Sequence, residues 1–363
     1  MSRRKLNKKR VSLIAIVLIT VVVVLGIGFR GIINKVVNTK HESKVNTDTV
    51  EEKTEEPVQK SITISFAGDV TMGNYKGAPN YDSFDHEFER QGKDYSYFLG
   101  GVKSVFEKDD LTVVNLEGPL TTATEAKVKK FAFKGDPSYV NILKEGSVEA
   151  VNIANNHSED YFEKGMQDTK FILDENKIDY FGLGEKAIID VEGIKVGFLG
   201  YTGWPENYNE EYLNKMEEDI KELKKESDAV IVFFHWGIER QYTPNKVEKD
   251  FAHHAIDKGA DLVVGSHHHV IQGIEKYNDK YIAYGLGNFC FGGNKNPSDK
   301  DSMIYQQTFT FTDNKLTKID EPNVIPVSIS SSSYRNNYRP TILDASERER
   351  VLNKLKKISE QIK

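Results

Sequence analysis

The chain has almost no cysteine. Among 363 residues there is only Cys290, which excludes an intramolecular disulfide and, with it, a small secreted scaffold held by covalent staples. Cys290 stands between Phe289 and Phe291, the setting of a buried structural thiol. A basic excess is lacking as well: Lys and Arg total 49 against 55 Asp and Glu. The first sixty residues hold twelve basic and six acidic side chains, so the remainder carries 37 against 49, a net of −12. A nucleic-acid binder shows the opposite bias, and simple charge attraction does not suit this remainder to capture of a polyanion. The Gly-x-Ser-x-Gly elbow of a serine hydrolase is missing, because Gly265-Ser266-His267 has no second glycine. No internal repeat is found.

The N-terminus is where charge is most unevenly placed. Residues 1–10 carry Arg3, Arg4, Lys5, Lys8, Lys9 and Arg10 and no acid, and residues 11–29 then run without any charge. As a helix, that run would rise roughly 28 Å, close to the hydrocarbon thickness of a bilayer. It ends without the small-x-small pattern of a cleaved signal peptide, so an uncleaved transmembrane signal-anchor is expected. The basic flank places the N-terminus in the cytoplasm and the rest outside the cell membrane. Residues 30–60, polar and without hydrophobic periodicity, read as a disordered stalk.

From residue 61 the pattern changes. Residues 62–67 alternate like a strand, and 111–116, 148–154, 195–201, 229–234 and 261–264 are short apolar runs of the buried-strand type. Between them, 161–176, 210–225 and 246–258 space their apolar residues as helices do. Strand-like runs return at 282–286 and 304–311. The alternation predicts an α/β fold with covered sheets over residues 61–327. Residues 328–363 read as a serine-rich loop and a final helix, with Ser346 and Glu349 placed as a capping box.

Polar residues able to ligate a metal fall at the ends of these predicted strands. Asp69 closes the first, Asn115 and Glu117 the second, Asn155, Asn156 and His157 the third, and His235 the fourth; His267 and His269 follow the fifth. Each alone reads as a turn-former or a satisfied histidine. Their recurrence after consecutive β-units points instead to a crevice at the strand ends, where open α/β sheets bind ligands. If 266–270 is extended, His267 and His269 share one face and His268 points away. Such a mixed nitrogen and oxygen set suits Mn²⁺, Fe or Zn²⁺. His253 and His254 lie on a predicted helix and His86 in a polar loop, so none of them is expected at the site. Trp204 and Trp236 stand near the motifs, either lining a groove or packed in the core.

Gly68-Asp69, Asn115-Leu-Glu117-Gly-Pro-Leu-Thr, Ala154-Asn-Asn-His157, His235-Trp-Gly-Ile-Glu239, Gly265-Ser-His-His-His269 and Tyr284-Gly-Leu-Gly-Asn-Phe289 resemble the ordered motifs of the CapA family of poly-γ-glutamate capsule synthesis proteins. That family belongs to the calcineurin-like metallophosphoesterase superfamily, and the resemblance covers roughly residues 61–291. It implies a layered sandwich of two β-sheets flanked by helices. It also implies up to two divalent metals: Asp69 and His269 at the first, Asn156, His235 and His267 at the second, Glu117 bridging, and His157 as the general acid. Two departures stand out from the wider superfamily. Thr71 replaces the histidine of an Asp-x-His motif, leaving the first metal one donor short, and Glu117 replaces a bridging aspartate.

The function implied is a membrane-anchored component of poly-γ-glutamate synthesis or export, a metal-dependent hydrolase or transferase if active. Its partners would be other membrane subunits of the synthase and the acidic polymer. Two alternatives stay open: a non-catalytic assembly or polymer-handling subunit, and a generic extracytoplasmic metallophosphoesterase.

Overall fold

The structure, a computed structural model, describes residues 57–362. The basic flank, the apolar run 11–29 and the stalk as far as residue 56 lie outside the described residues. No helix among the described residues is long and apolar enough to cross a membrane.

The described chain begins with β1 (Gln59–Thr71), β2 (Asn74–Tyr75) and three short helices, α1 (Phe84–Arg90), α2 (Ser96–Leu99) and α3 (Lys103–Phe106). Next come β3 (Leu111–Leu116), β4 (Phe133–Lys134), α4 (Val140–Glu145), β5 (Ala150–Asn152), α5 (Phe162–Asn176) and β6 (Asp179–Phe181). They lead into β7 (Lys186–Val191), β8 (Ile194–Gly203), α6 (Glu210–Glu226), β9 (Ala229–Trp236), α7 (Lys246–Asp257) and β10 (Leu262–Ser266). The last part holds β11 (Ile274–Tyr277), β12 (Lys280–Ala283), β13 (Asn288–Phe291), β14 (Asp301–Thr312), β15 (Lys315–Ile319), β16 (Asn323–Ser328), β17 (Thr341–Ile342) and α8 (Ala345–Ser359).

Two sheets form the centre. The larger runs β17-β16-β14-β1-β3-β5-β6, with β13 also beside β1 and β15 beside β14; the smaller runs β11-β12-β10-β9-β8-β7. Strands β1, β3, β5 and β6 are parallel, as are β8, β9, β10 and β12. The expected mixed α/β architecture, sheets flanked by helices, is therefore present.

Strand β9 shows why its sequence is an unbroken apolar run. Ala229, Ile231 and Phe233 face the other sheet, among Ile62, Ile64 and Phe66 of β1. Val230, Val232 and Phe234 face Met216, Ile220 and Leu223 of α6 and Phe251 of α7. Successive side chains point to opposite faces, and both faces are covered, so no position tolerates a polar residue until His235, one residue before the strand ends. Each of these large side chains contributes about 1.5–3 kcal/mol by leaving water. A third cluster seals the outer face of the larger sheet: Val114 and Val151 meet Phe84, Phe98 and Leu143 from the short helices and Leu173 of α5.

Two local expectations give way. The final helix starts at Ala345 behind Asp344, with no side-chain cap, so Ser346 lies inside it and forms no capping box. Its Val351, Leu355 and Ile358 are buried in the inter-sheet core. A capping box does occur at the start of α7, where Asn245 and Glu248 exchange bonds with each other's backbone. His86 sits within α1 rather than in a loop.

Candidate metal centre

Register brings the polar residues into a row. In the larger sheet Asp69 of β1 lies opposite Asn115 of β3 and Asn288 of β13, and Asn115 lies opposite Asn152 of β5. In the smaller sheet His235 of β9 lies opposite Ser266 of β10. The C-terminal ends of the parallel strands thus converge from both sheets. Gly68 allows the closest approach, since a Cβ there would sit 1.8 Å from the Gly287 carbonyl oxygen. Asp69 N–H donates to that same oxygen at 3.1 Å.

His267 and His269 reach the site by a route the alternation argument does not give. Residues 267–269 are not extended: His267 has φ +100° and His269 φ +59°, both left-handed. This tight turn aims the two rings at the site and sends His268 the other way, to Glu248 at 2.7 Å. The pairing of faces is as expected; its cause is a strained turn of about 1–3 kcal/mol per residue, held by its surroundings.

Two overlapping groups of ligand atoms result, each within 4.8 Å: Glu117 with His235 and His267, and Asp69 with Glu117 and His269. Glu117 belongs to both. His235 Nε2 lies 3.1 Å from His267 Nδ1, 3.7 Å from Glu117 Oε1 and 2.8 Å from Asn156 Oδ1. Asn156 is itself exposed, at the rim. His157 lies just outside, its Nδ1 2.7 Å from Asp160 Oδ2 and its Nε2 3.8 Å from Glu117 Oε1.

Supporting groups fix these side chains. Asn152 Nδ2 donates to Asn115 Oδ1 and Asn115 Nδ2 to Asp69 Oδ1, both at 2.9 Å. Ser266 Oγ at 2.9 Å and Asn115 Nδ2 at 3.2 Å flank His235 Nδ1 and orient the ring so that Nε2 faces the centre. His269 Nδ1 is 2.8 Å from Asn288 Oδ1. Thr71 Oγ1 donates to Glu117 Oε2 at 3.0 Å, so the residue at the missing histidine's position orients the shared carboxylate. Trp204 packs edge-on against His235 and His267, whereas Trp236 is fully buried core.

Electrostatics distinguish the groups. Burial, reinforced by the Asp69 charge, pushes Glu117 up to about 8. Burial opposes charge on His269, but Asp69, Glu117 and Glu239 outweigh it and raise this histidine to about 9. Burial and the neighbouring histidines lower His267 to about 2 and His235 well below its ordinary value. His157 is lowered by burial, with Asp160 acting against the shift. Asp69 Oδ2 and Glu117 Oε1 are buried without a hydrogen-bond partner. A buried carboxylate oxygen without a hydrogen bond is costly; Asp69 Oδ2 has only the His269 ring, 3.3 Å away, as an ion-pair partner, and a divalent cation taking the place of the His269 proton fits two such oxygens among imidazoles. These buried side chains can hold a metal ion.

All seven residues singled out from sequence are brought together: Asp69, Glu117, Asn156, His157, His235, His267 and His269. Sequence reasoning missed Asn152, Asp160, Ser266 and Asn288. Two had a signal. Asp160 follows His157 at i+3, and Asn152 is a polar residue inside a buried strand. His253 and His254 stay apart on α7, and Cys290 is buried with its thiol pushed upward by burial.

Several known proteins are similar to this chain in sequence. The PGA biosynthesis protein CapA of Bacillus subtilis (strain 168) is 32% identical over 250 residues, 63% of each chain; this chain thus spans under two thirds of that relative's length. The capsule biosynthesis protein CapA of Bacillus anthracis is 29% identical over 321 residues, covering 82% of this chain and 73% of its own. A probable polyglutamine synthesis accessory protein of Mycobacterium tuberculosis (strain ATCC 25618 / H37Rv) is 25% identical over 273 residues, 65% of this chain and 71% of its own. The profile described as bacterial capsule synthesis protein PGA_cap matches residues 63–293, the stretch that carries every ligand named above, and the chain belongs to that family.

Proposed function

We propose that this protein is a metal-dependent hydrolase or transferase acting on a glutamate polymer as part of capsule synthesis, held at the outer face of the cell membrane by residues 11–29. The observation that carries the reading is the pair of ligand groups sharing Glu117, with two buried carboxylate oxygens that make no hydrogen bond. The names of its relatives supply the process, and other membrane subunits of a synthase are the expected partners.

Asp69, Glu117 and His269 would hold one metal; His235, His267 and Asn156 would complete a second site with Glu117. When bound, such a metal supplies Lewis acidity toward a carbonyl or phosphoryl oxygen. The chain's own residues do the rest. Asp160 fixes the His157 ring through Nδ1, leaving Nε2 toward the centre as the atom that gives or takes a proton. Phe133, edge-on to His157 at 4.7 Å, keeps water from its flank.

One observation favours a second reading, a polymer-handling subunit without catalysis: Thr71 is committed to Glu117, so the Asp69 side offers three ligands only. His157→Ala separates the two. An enzyme keeps its metal and loses polymer production by about 10²-fold or more. Unchanged polymer production in cells carrying this variant would leave the handling role standing and remove the catalytic one.

A further inference from the structure

Beside the metal centre lies a cavity of about 390 Å³, of a size for one or two amino-acid residues of a polymer. His157 and His269 form its floor, and Phe131 and Phe291 its apolar wall. Its polar rim is unusual. Glu239 and Arg240, consecutive in the chain, both line it, and both are exposed. Neither side chain has a hydrogen-bond or ion-pair partner among the described residues, not even each other. Most charged groups around them are matched: Asp299, on the same rim, accepts from Tyr242 and Lys354.

The backbone holds this pair in place. Arg240 is left-handed, with φ +63°, and its N–H donates to the His268 carbonyl at 2.8 Å. Gly237, with φ +81°, starts the bend; a Cβ there would lie 2.3 Å from His268 Nε2. The turn carrying two of the ligating histidines and the turn carrying Glu239 and Arg240 are therefore bonded together. Glu239 is close enough for its charge to act on both Glu117 and His269.

A carboxylate and a guanidinium on consecutive residues of a held turn, both lining the cavity and both unmatched, can recognise a ligand that carries both signs on adjacent atoms. The planar guanidinium fork takes a carboxylate, and a carboxylate takes an ammonium. Interior residues of a γ-linked glutamate chain carry only an α-carboxylate, because their nitrogens are amides. The amino-terminal residue alone carries an α-ammonium and an α-carboxylate on one carbon. Resting on the reading of the site as one for glutamate polymer, we propose that Glu239 and Arg240 seat the zwitterionic amino-terminal residue of the chain, so that the centre works at a polymer end. Glu239 selects the ammonium, and Arg240 holds the α-carboxylate common to all residues.

The test is calorimetric binding of a γ-linked glutamate tetramer to the full-length chain in detergent, saturated with Mn²⁺. One tetramer carries a free amino terminus and the other is N-acetylated. The free-amine tetramer is expected to bind at least about tenfold tighter, the range of one desolvated charge pair. Glu239→Gln should erase that ratio while leaving the acetylated tetramer unaffected, and Arg240→Gln should weaken both by about tenfold. Equal binding of the two tetramers by the wild type, or a ratio preserved in Glu239→Gln, overturns end recognition alone. Failure of the wild type to bind either tetramer overturns it together with the polymer reading on which it rests.

Discussion

His268 and His269 are neighbours in sequence, the first buried and the second partly buried, each against a carboxylate, and their partners are left in opposite conditions. His268 Nε2 meets Glu248 Oε1 at 2.7 Å, and the other oxygen of Glu248 accepts the Asn245 N–H at 2.9 Å. Both side chains are 0% exposed, and each Glu248 oxygen has a partner, so the carboxylate belongs to the α7 cap; the atom left without a hydrogen bond there is His268 Nδ1. Around His269 the carboxylates of Asp69 and Glu117 each keep one buried oxygen without a hydrogen bond, and Asp69 Oδ2 has only the His269 ring 3.3 Å away. Residue type does not separate a structural pair from a binding site here. The direction of the unmatched acceptors does.

The largest effect should come from the carboxylate common to both ligand groups. Glu117→Gln is expected to lower bound metal per chain about tenfold or more, read by elemental analysis after gel filtration. Glu248→Gln should leave the metal content of the saturated protein unchanged. Equal loss in both variants would erase the distinction between the two regions.

Stability should split with opposite signs. Glu248→Ala removes a cap and a buried bond and should cost about 2–4 kcal/mol in urea unfolding. Glu117→Gln, measured in metal-free protein at neutral pH, should instead stabilise by about 1–2 kcal/mol, because a carboxyl whose pKa is raised by burial opposes folding above its ordinary titration range. A destabilised Glu117→Gln in chelator would show that the orphaned oxygen is matched after all.

Asp301 offers a third, milder case. Burial alone would raise its pKa, but Arg350 and Lys354 outweigh burial and hold it below 3.8. The folded pKa is depressed, so its stabilisation is complete above the ordinary carboxylate value and disappears as pH falls through the lowered one. Arg350 is half-exposed, which screens the pair. Asp301→Asn should therefore cost about 1 kcal/mol at pH 7 and flatten the acid limb of a Tm-against-pH curve. The smallest change should be Thr71→Val, a loss of about 1 kcal/mol with metal retained, as suits a residue that orients Glu117 without ligating.

Much of this was legible beforehand because strands with both faces covered must be apolar until they end. The change from Phe234 to His235, or from Leu116 to Glu117, therefore marks a strand terminus as well as a chemical group. What stayed hidden depends on partners distant in sequence. Asn288 supports His269 only because β13 lands beside β1, and Glu248 finds His268 only because α7 packs over β10. The left-handed turn at His267 and His269 was equally unreadable, since neither is a glycine and histidine gives little sign of positive φ. Ser346 and Glu349 have the spacing of a capping box without forming one, whereas Asn245 and Glu248 form it at the start of α7.

The ligands come from opposite sheets: Asp69 and Glu117 follow strands of the larger one, His235, His267 and His269 strands of the smaller. A bound ion would be a clasp across the seam as well as a reactant. Occupancy and unfolding are then linked, and at a free concentration a hundred times Kd the native state gains about 2.7 kcal/mol. Metal supply in the surroundings would set the lifetime of the folded protein, and melting temperature would serve as a gauge of how many molecules are loaded.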